Sequence, residues 1–254
     1  MSATANNLQD VRHRMAIAVE AAQRESDAVK LIAVAKTFPA LAVLEAIEAG
    51  QLAFGENYVQ EAVEKMRIVD AWLRERRSHG FPEWHFIGPI QSNKTRIIAT
   101  HFDWVHSVDR LKIAERLSAQ RDPDREPLNV LLEVNVDGEP SKSGVAPDQL
   151  LALARAVVAL PRLRLRGLMA VPEARSDPAG QRVAFGSVRV LAGQLRDEGL
   201  PGDQLSMGMS ADLEAAIAEG ATMVRVGTAI FGARGSTRDP VRNLAPTPSL
   251  FQKN

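Results

Sequence analysis

The chain is 254 residues long, with 31 lysines and arginines against 31 aspartates and glutamates, and it has no cysteine. Zero net charge supplies no field to steer it onto nucleic acid or a membrane surface, and without cysteine there are no disulfides, thiolate metal sites or cysteine nucleophiles. No apolar run approaches bilayer length, and the start, Met1-Ser-Ala-Thr-Ala-Asn-Asn7, carries no signal-peptide pattern, so the expectation is a cytoplasmic protein with a small-molecule partner.

In chain order, Leu8, Val11, Met15, Val19 and Ala22 recur at helical spacing and predict an N-terminal helix. The run Leu31-Ile-Ala-Val-Ala35 reads as a buried strand. Further strands are expected at Leu52–Phe54, Trp84–Ile87, Trp104–His106, Asn129–Val136, Leu163–Ala170, Gln204–Met207 and Thr222–Val226. Helical patterns separate them, among them Leu41-x-x-Leu44-x-x-Ile47, Ala114-x-x-Leu117 and the apolar stretch from Leu150 to Val158. Alternating strands and helices in this length match a single α/β (β/α)₈ TIM-type barrel with a parallel sheet, a doubly wound open sheet being the competing architecture. After Gly227 only Thr228-Ala-Ile-Phe231 precedes a polar tail, so the last strand has no long helix of its own. The extra N-terminal helix is therefore expected to cover the seam between last strand and first. The domain expectation is one barrel over residues 1–235 and a loosely held tail over 236–254.

Barrels place their ligand groups at strand carboxyl ends. Those ends read Lys36, Gly55-Glu56-Asn57-Tyr58, Gly88-Pro89, His106-Ser107, Asn135, Met207-Gly208-Met209-Ser210 and Arg225-Val226-Gly227-Thr228, a set poor in carboxylates. Lys36 is one of seven lysines against 24 arginines. An amine against an apolar wall loses hydration of its charged form, which favours the neutral nucleophile that forms a Schiff base. Across the mouth, Ser210 precedes a strong helix-former and is expected to be its N-cap, beside Gly208; Gly227 and Thr228 add a closely approachable amide and a hydroxyl. That is the composition of a phosphate site, and an amine facing a phosphate cradle is what pyridoxal phosphate requires. The histidines (His13, His79, His85, His101, His106) lack metal-ligand spacing. His85 and His106, at strand ends, either line the pocket or are satisfied structural residues.

Seven stretches carry a resemblance: Ala33-Val-Ala-Lys-Thr37, Phe54-Gly-Glu-Asn-Tyr-Val-Gln60, Trp84-His-Phe-Ile-Gly-Pro-Ile-Gln-Ser-Asn-Lys94, Ser141-Lys-Ser-Gly144, Leu165-Arg-Gly-Leu-Met169, Leu205-Ser-Met-Gly-Met-Ser210 and Met223-Val-Arg-Val-Gly-Thr-Ala-Ile-Phe-Gly232. Through them the chain resembles the pyridoxal phosphate homeostasis proteins, related in fold to the barrel domain of alanine racemase. The resemblance implies that Lys36 holds the cofactor as an internal aldimine. It also implies that Ser210, Gly227 and Thr228 bind the phosphate, Arg225 faces the pyridine nitrogen and Asn57 lies near the ring. A guanidinium donates but does not accept, so Arg225 disfavours a protonated ring and weakens it as an electron sink. A racemase needs an acid/base group on each face of the substrate carbon; the resemblance implies that in alanine racemase a second domain supplies the opposing tyrosine, no such domain is expected here, and the sole tyrosine is Tyr58. The expected role is cofactor binding and delivery, with pyridoxal-dependent apo-enzymes as recipients, no amino-acid turnover and a monomeric state. An amino-acid racemase and a cofactor-free sugar-phosphate aldolase are the rivals. Lys94 and Lys142 are solvated loop lysines or transient acceptors during loading.

Overall fold

The computed structural model describes residues 2–77, 80–139 and 142–232. Eight parallel strands close in sequence order: β1 (Lys30–Val34), β2 (Ala53–Glu56), β3 (Glu83–Phe86), β4 (Trp104–Val108), β5 (Leu128–Glu133), β6 (Leu163–Met169), β7 (Gln204–Ser206) and β8 (Met223–Val226). Closure comes from β8 pairing with β1, Ile32 opposite Arg225 and Ala33 opposite Val226. The helices are α1 (Ala3–Ala21), α2 (Ala40–Glu48), α3 (Val59–Glu75), α4 (Thr95–His101), α5 (Leu111–Gln120), α6 (Leu150–Val158), α7 (Pro178–Asp197), α8 (Leu213–Ala218) and α9 (Thr228–Phe231). The (β/α)₈ expectation holds, and the open sheet is excluded by the β1–β8 ladder. No helix among the described residues is long and apolar enough to cross a membrane. The tail expected from residue 236 lies outside the described residues.

The period of two along each strand divides the core into two parts. Leu31, Ala33 and Ala35 face outward and join the large layer between sheet and helices, with Val224 and Val226 of β8. Ile32 faces inward with Ala53, Trp104, Leu131, Met169 and Met223, a separate cluster inside the barrel. The same parity carries Lys36 and Arg225 to the inner side.

α1 stands at the seam as expected. Ser2 caps it, its Oγ accepting from Ala5 N at 3.2 Å, and Thr4, Leu8, Val11, Met15, Ala18 and Val19 are buried. Asn7 Nδ2 donates to Ile230 O in α9 (2.9 Å). Arg12 Nη1 donates to Ala49 O just after α2 (3.0 Å), and Arg24 Nη1 donates to Ile217 O of α8 (2.9 Å). One helix thus ties the first α unit to the last two.

Strand ends shift by a residue or two from the sequence reading, with one difference of consequence. β5 stops at Glu133, and Val134 to Val136 belong to a loop: Asn135 N donates to Val145 O (3.0 Å) and Val145 N to Glu133 O (2.8 Å), so the segment pairs with its own returning chain. Gly144 makes this possible, with φ at +114° and a Cβ position only 2.7 Å from Asn135 N.

Leu8 is fully buried under α1, so Leu8→Ala is expected to lower unfolding free energy by about 2–4 kcal/mol in a urea titration. Ile17→Ala, on the exposed face of the same helix, is expected to change it by less than about 0.5 kcal/mol.

Candidate functional site

A cavity of about 600 Å³ opens at the carboxyl mouth of the barrel, and Lys36, Asn57, Ser210, Arg225, Gly227 and Thr228 all line it. A second hollow of about 580 Å³, between α1 and the amino ends of β1 and β2, contains none of these residues. Its walls are Met15, Val19, Leu31 and Phe81 with the Lys30 and Glu83 side chains, which carry no convergent chemistry toward a ligand.

Lys36 leaves β1 on a backbone held from two sides. Thr37 adopts φ +66°, a left-handed conformation that costs a β-branched residue about 1–2 kcal/mol. Its amide donates to Glu61 Oε1 (2.7 Å). From the next turn of α3, Lys65 Nζ donates to Glu61 Oε1 (3.1 Å), to Ala35 O (2.7 Å) and to Glu56 Oε1 (2.5 Å). Lys65 and Glu56 are both buried. Burial pushes the Glu56 carboxyl up to about 7 against the pull of Lys65. The Glu56-x-x-x-x-Glu61-x-x-x-Lys65 spacing, set by one strand end and one helical turn, therefore clamps both neighbours of Lys36.

Across the mouth the backbone supplies donors. The amides of Ser210, Ala211 and Thr228 find no acceptor among the described residues. Gly208, at φ +91°, lets the chain turn where a Cβ would fall 2.5 Å from Ala216 Cβ. Gly227 lies so close to β1 that a Cβ would sit 3.1 Å from Val34 O. The expected N-cap role of Ser210 is corrected. α8 begins at Leu213 with Asp212 at its cap position, because the Asp212 carboxylate accepts from Met209 N (2.5 Å) and closes a turn before the helix starts. Ser210 is instead fixed through its carbonyl, which accepts from Arg14 Nη2 of α1 (3.1 Å).

Arg225 is buried. Its Nη1 donates to Ser206 O and Ser206 Oγ (both 2.6 Å) and its Nη2 to Ala170 O (3.0 Å). Three of its five N–H groups are thereby engaged by the wall, leaving two for a ligand. Burial lowers its pKa to about 10, with Glu133 and Asp212 opposing, so it is cationic at neutral pH. The side-chain oxygens of Asn57 and Asn135, both lining the cavity, are buried without a hydrogen-bond partner. Unsatisfied polar atoms of this kind are uncommon in folded proteins and fit a site shaped for a polar ligand.

Two cavity residues were not singled out from the sequence. Glu133 lies on the inward parity of β5 with Leu131 and Asn135; placing the strand end at Val136 hid it. Burial first, then Asp109, raise its pKa to about 7, with Arg225 opposing. Asp137 accepts from Lys142 Nζ (2.7 Å) and from Glu173 N (2.8 Å), so Lys142 lines the cavity as an ion-paired residue.

Other candidates fall away. His85 and His106 are fully buried inside the barrel and are not among the residues lining the cavity. Lys94 ends a short 3₁₀ turn away from it. Tyr58 is 56% exposed and also lies outside it, so no tyrosine opposes Lys36 there. His79 lies outside the described residues. No group of described side chains could hold a metal ion.

The fold and the mouth define a (β/α)₈ barrel of the alanine racemase type, and residues 6–235 match the family described as "Alanine racemase, N-terminal domain". The chain is 58% identical over 235 residues to the pyridoxal phosphate homeostasis protein of Pseudomonas aeruginosa, covering 92% of this chain and 97% of the relative. It is 51% identical over 234 residues to the Escherichia coli K12 protein of that name, covering 92% and 98%. Among solved structures, PipY of Synechococcus elongatus PCC7942 with PLP bound matches with a TM-score of 0.76 and 37% identity, covering 90% of this chain and 100% of that one. The chain belongs to the pyridoxal phosphate homeostasis protein family.

The Glu133 carboxyl has a folded pKa of about 7 against an unfolded value of about 4.3. Its native form prefers the proton, so its contribution falls as pH rises from the unfolded value through about 7 and stays low above that. Glu133→Gln is expected to stabilise the fold at pH 8 by on the order of 1–3 kcal/mol and to be nearly neutral at pH 4.5. Paired urea titrations at the two pH values measure the difference.

Proposed function

We propose that the chain binds pyridoxal phosphate in the mouth cavity, holds it covalently through Lys36, and keeps this reactive aldehyde in reserve for dependent enzymes without turning over amino acids. The observation that supports this is the convergence of a clamped amine, unpaired backbone amides and a buried guanidinium on one cavity. When bound, the cofactor supplies an aldehyde that condenses reversibly with an amine.

Each wall residue has a part. Lys36 presents the amine, its direction set by the Glu61–Lys65 clamp. The amides of Ser210, Ala211 and Thr228, with the Thr228 hydroxyl, receive the phosphate, and Gly227 lets it approach the backbone. Arg225 offers its remaining N–H groups to the pyridine nitrogen. A guanidinium cannot accept a hydrogen bond, so that nitrogen must itself be the acceptor and stays unprotonated. Asn57 places an unsatisfied amide oxygen beside the ring. A racemase would need a second acid/base group opposite Lys36; the tyrosine that could serve points to solvent. On this reading the protein is a cytoplasmic monomer that gives up its cofactor by hydrolysis or by exchange with another amine, and apo-enzymes are the recipients.

An absorbance spectrum of protein incubated with pyridoxal phosphate, taken before and after borohydride and followed by peptide mass mapping, tests the reading. The expected outcome is a visible band that reduction removes, a label on Lys36, and no band in Lys36→Ala. Thr228→Val, which removes one hydroxyl donor to a charged group worth about 1.5–3 kcal/mol, is expected to weaken cofactor affinity roughly tenfold or more. Absence of a band in the unaltered chain, or measurable racemisation of alanine, would sink the proposal.

A further inference from the structure

The middle of a barrel of this kind is ordinarily filled with branched apolar side chains. Here four buried polar residues from four strands occupy it: His85 of β3, His106 of β4, Ser206 of β7 and Arg225 of β8. They touch in series. Arg225 Nη1 donates to Ser206 Oγ at 2.6 Å, Ser206 Oγ lies 2.8 Å from His106 Nδ1, and His106 Nε2 lies 2.8 Å from His85 Nδ1. The series ends at Glu83, whose Oε1 sits 2.6 Å from His85 Nε2 and 3.0 Å from Lys30 Nζ. Glu83 and Lys30 border the amino-end mouth, opposite the cofactor cavity.

The direction of the series follows by elimination. Arg225 can only donate, so Ser206 Oγ accepts from it. A bare His85 Nε2 lone pair 2.6 Å from a carboxylate oxygen would be repelled, so that nitrogen carries its proton, even though Glu83 sits off the line of a well-aligned hydrogen bond. A neutral His85 then has an acceptor at Nδ1, which requires His106 to donate from Nε2. Neutral His106 in turn accepts at Nδ1 from the Ser206 hydroxyl. Every donor points toward Glu83, the last step being a close charge contact rather than an aligned hydrogen bond.

Both imidazoles are neutral in this arrangement, in keeping with burial, which pushes both below the usual histidine range. The charged groups facing them are few. Glu83 and Asp103 favour the charged form of His85, and Lys30 opposes it; His106 sees His85, Arg225 and Lys30. For Glu83, burial pushes upward, while the His85 N–H and the Lys30 ammonium pull the carboxyl below its usual range. With His85 neutral, its N–H and the Lys30 ammonium are what keep Glu83 ionised. The Trp104 ring lies nearly parallel to the His85 imidazole, with the ring centroids 5.6 Å apart.

We propose that Glu83, His85, His106 and Ser206 form a one-way hydrogen-bond chain along the barrel axis that positions Arg225 and links the ring-nitrogen contact to a carboxylate at the opposite mouth. The ring-nitrogen part rests on the cofactor reading above. Two negative-to-positive ends joined through a low-dielectric interior polarise the bonds between them. Glu83, Ser206 and both histidines act as positioning residues, since none of them lines the cavity.

Long-range ¹H–¹⁵N imidazole spectra of the cofactor-free protein between pH 6 and 8 test the direction. The expected result is the neutral Nε2–H tautomer for both His85 and His106. An Nδ1–H tautomer or a protonated ring at either would overturn the chain. The link to Arg225 is read from the pH midpoint of the visible band in loaded protein, using Glu83→Gln, whose side chain is already 35% exposed and tolerates the change. Without the carboxylate the chain loses the charge that polarises it toward Arg225, so the cationic form is less favoured and the midpoint is expected to fall by roughly 0.3–1 unit. Ser206→Ala breaks the chain in its middle, and in that background Glu83→Gln is expected to leave the midpoint unmoved. Equal shifts in both backgrounds would mean a field acting directly through space, and no shift in either would mean a purely structural network; each result overturns the link. A wild-type protein that takes up no cofactor overturns the functional reading and the ring-nitrogen role together, while the tautomer spectra still decide the chain.

Discussion

The pairing of the last strand with the first is the contact on which everything else depends. Lys36 and Thr228 are nearly two hundred residues apart in the chain, yet Ala33 lies beside Val226 in the β1–β8 ladder. One further step along that ladder brings Val34 against Gly227, where an added Cβ would crowd Val34 O at 3.1 Å. Lys36 and the Ser210, Gly227 and Thr228 backbone therefore line one cavity because the barrel closes. α1 is what holds that closure: it supplies the apolar cover that α9, only a few residues long, cannot give. Through Arg14 it also reaches Ser210. A helix remote from the mouth is in this way tied to a residue that lines it.

Closure also explains why so much polar material survives in the interior. Each inward position on one strand meets inward positions on its neighbours, so a polar residue there is tolerated only if the neighbouring strands answer it. Arg225 is answered by Ser206 and Ala170, and Lys65 is answered by Glu56, Glu61 and the Ala35 carbonyl. In both cases a buried cation fixes a functional segment: Arg225 forms one wall of the cavity, and Lys65 braces the strand end that presents Lys36. Neither could be replaced by a neutral group of similar size without leaving buried carbonyls or a carboxylate unpaired, a cost of about 1–3 kcal/mol per group.

Much of this was legible in the sequence, and the reasons are local. Eight apolar, β-rich runs announce eight strands, and the place of Lys36 at the carboxyl end of the first is enough to bring it to the mouth. All six residues assigned to the cofactor site converge on one cavity. What stayed hidden depends on partners that sequence spacing does not reveal. Ser210 looked like an N-cap because it precedes a helix-forming run; the Asp212 side chain captured Met209 N first and delayed the helix. Glu133 was concealed by a strand that seemed to continue to Val136, whereas the Gly144 turn folds the chain back on it. The contacts of His85, His106, Ser206 and Arg225 require the registers of four strands at once, and no short-range pattern encodes them.

The distinction between a cofactor reservoir and a cofactor enzyme rests on what the cavity holds besides Lys36. An enzyme acting on an amino acid needs an electron sink in the ring and proton-transfer groups on both faces of one carbon. An Arg225 that is cationic at neutral pH and anchored by three hydrogen bonds would work against the sink by keeping a facing ring nitrogen in its acceptor state. Exchange of one amine for another on an aldehyde needs neither; it needs an amine, a proton donor and access for water or an incoming nucleophile. Glu133 lines the same cavity as Lys36, and the mouth opens to solvent, which leaves room for such an exchange. On the reading proposed above, a wall that would weaken the cofactor as a catalyst would leave its reversible capture intact, which is the combination a reservoir requires.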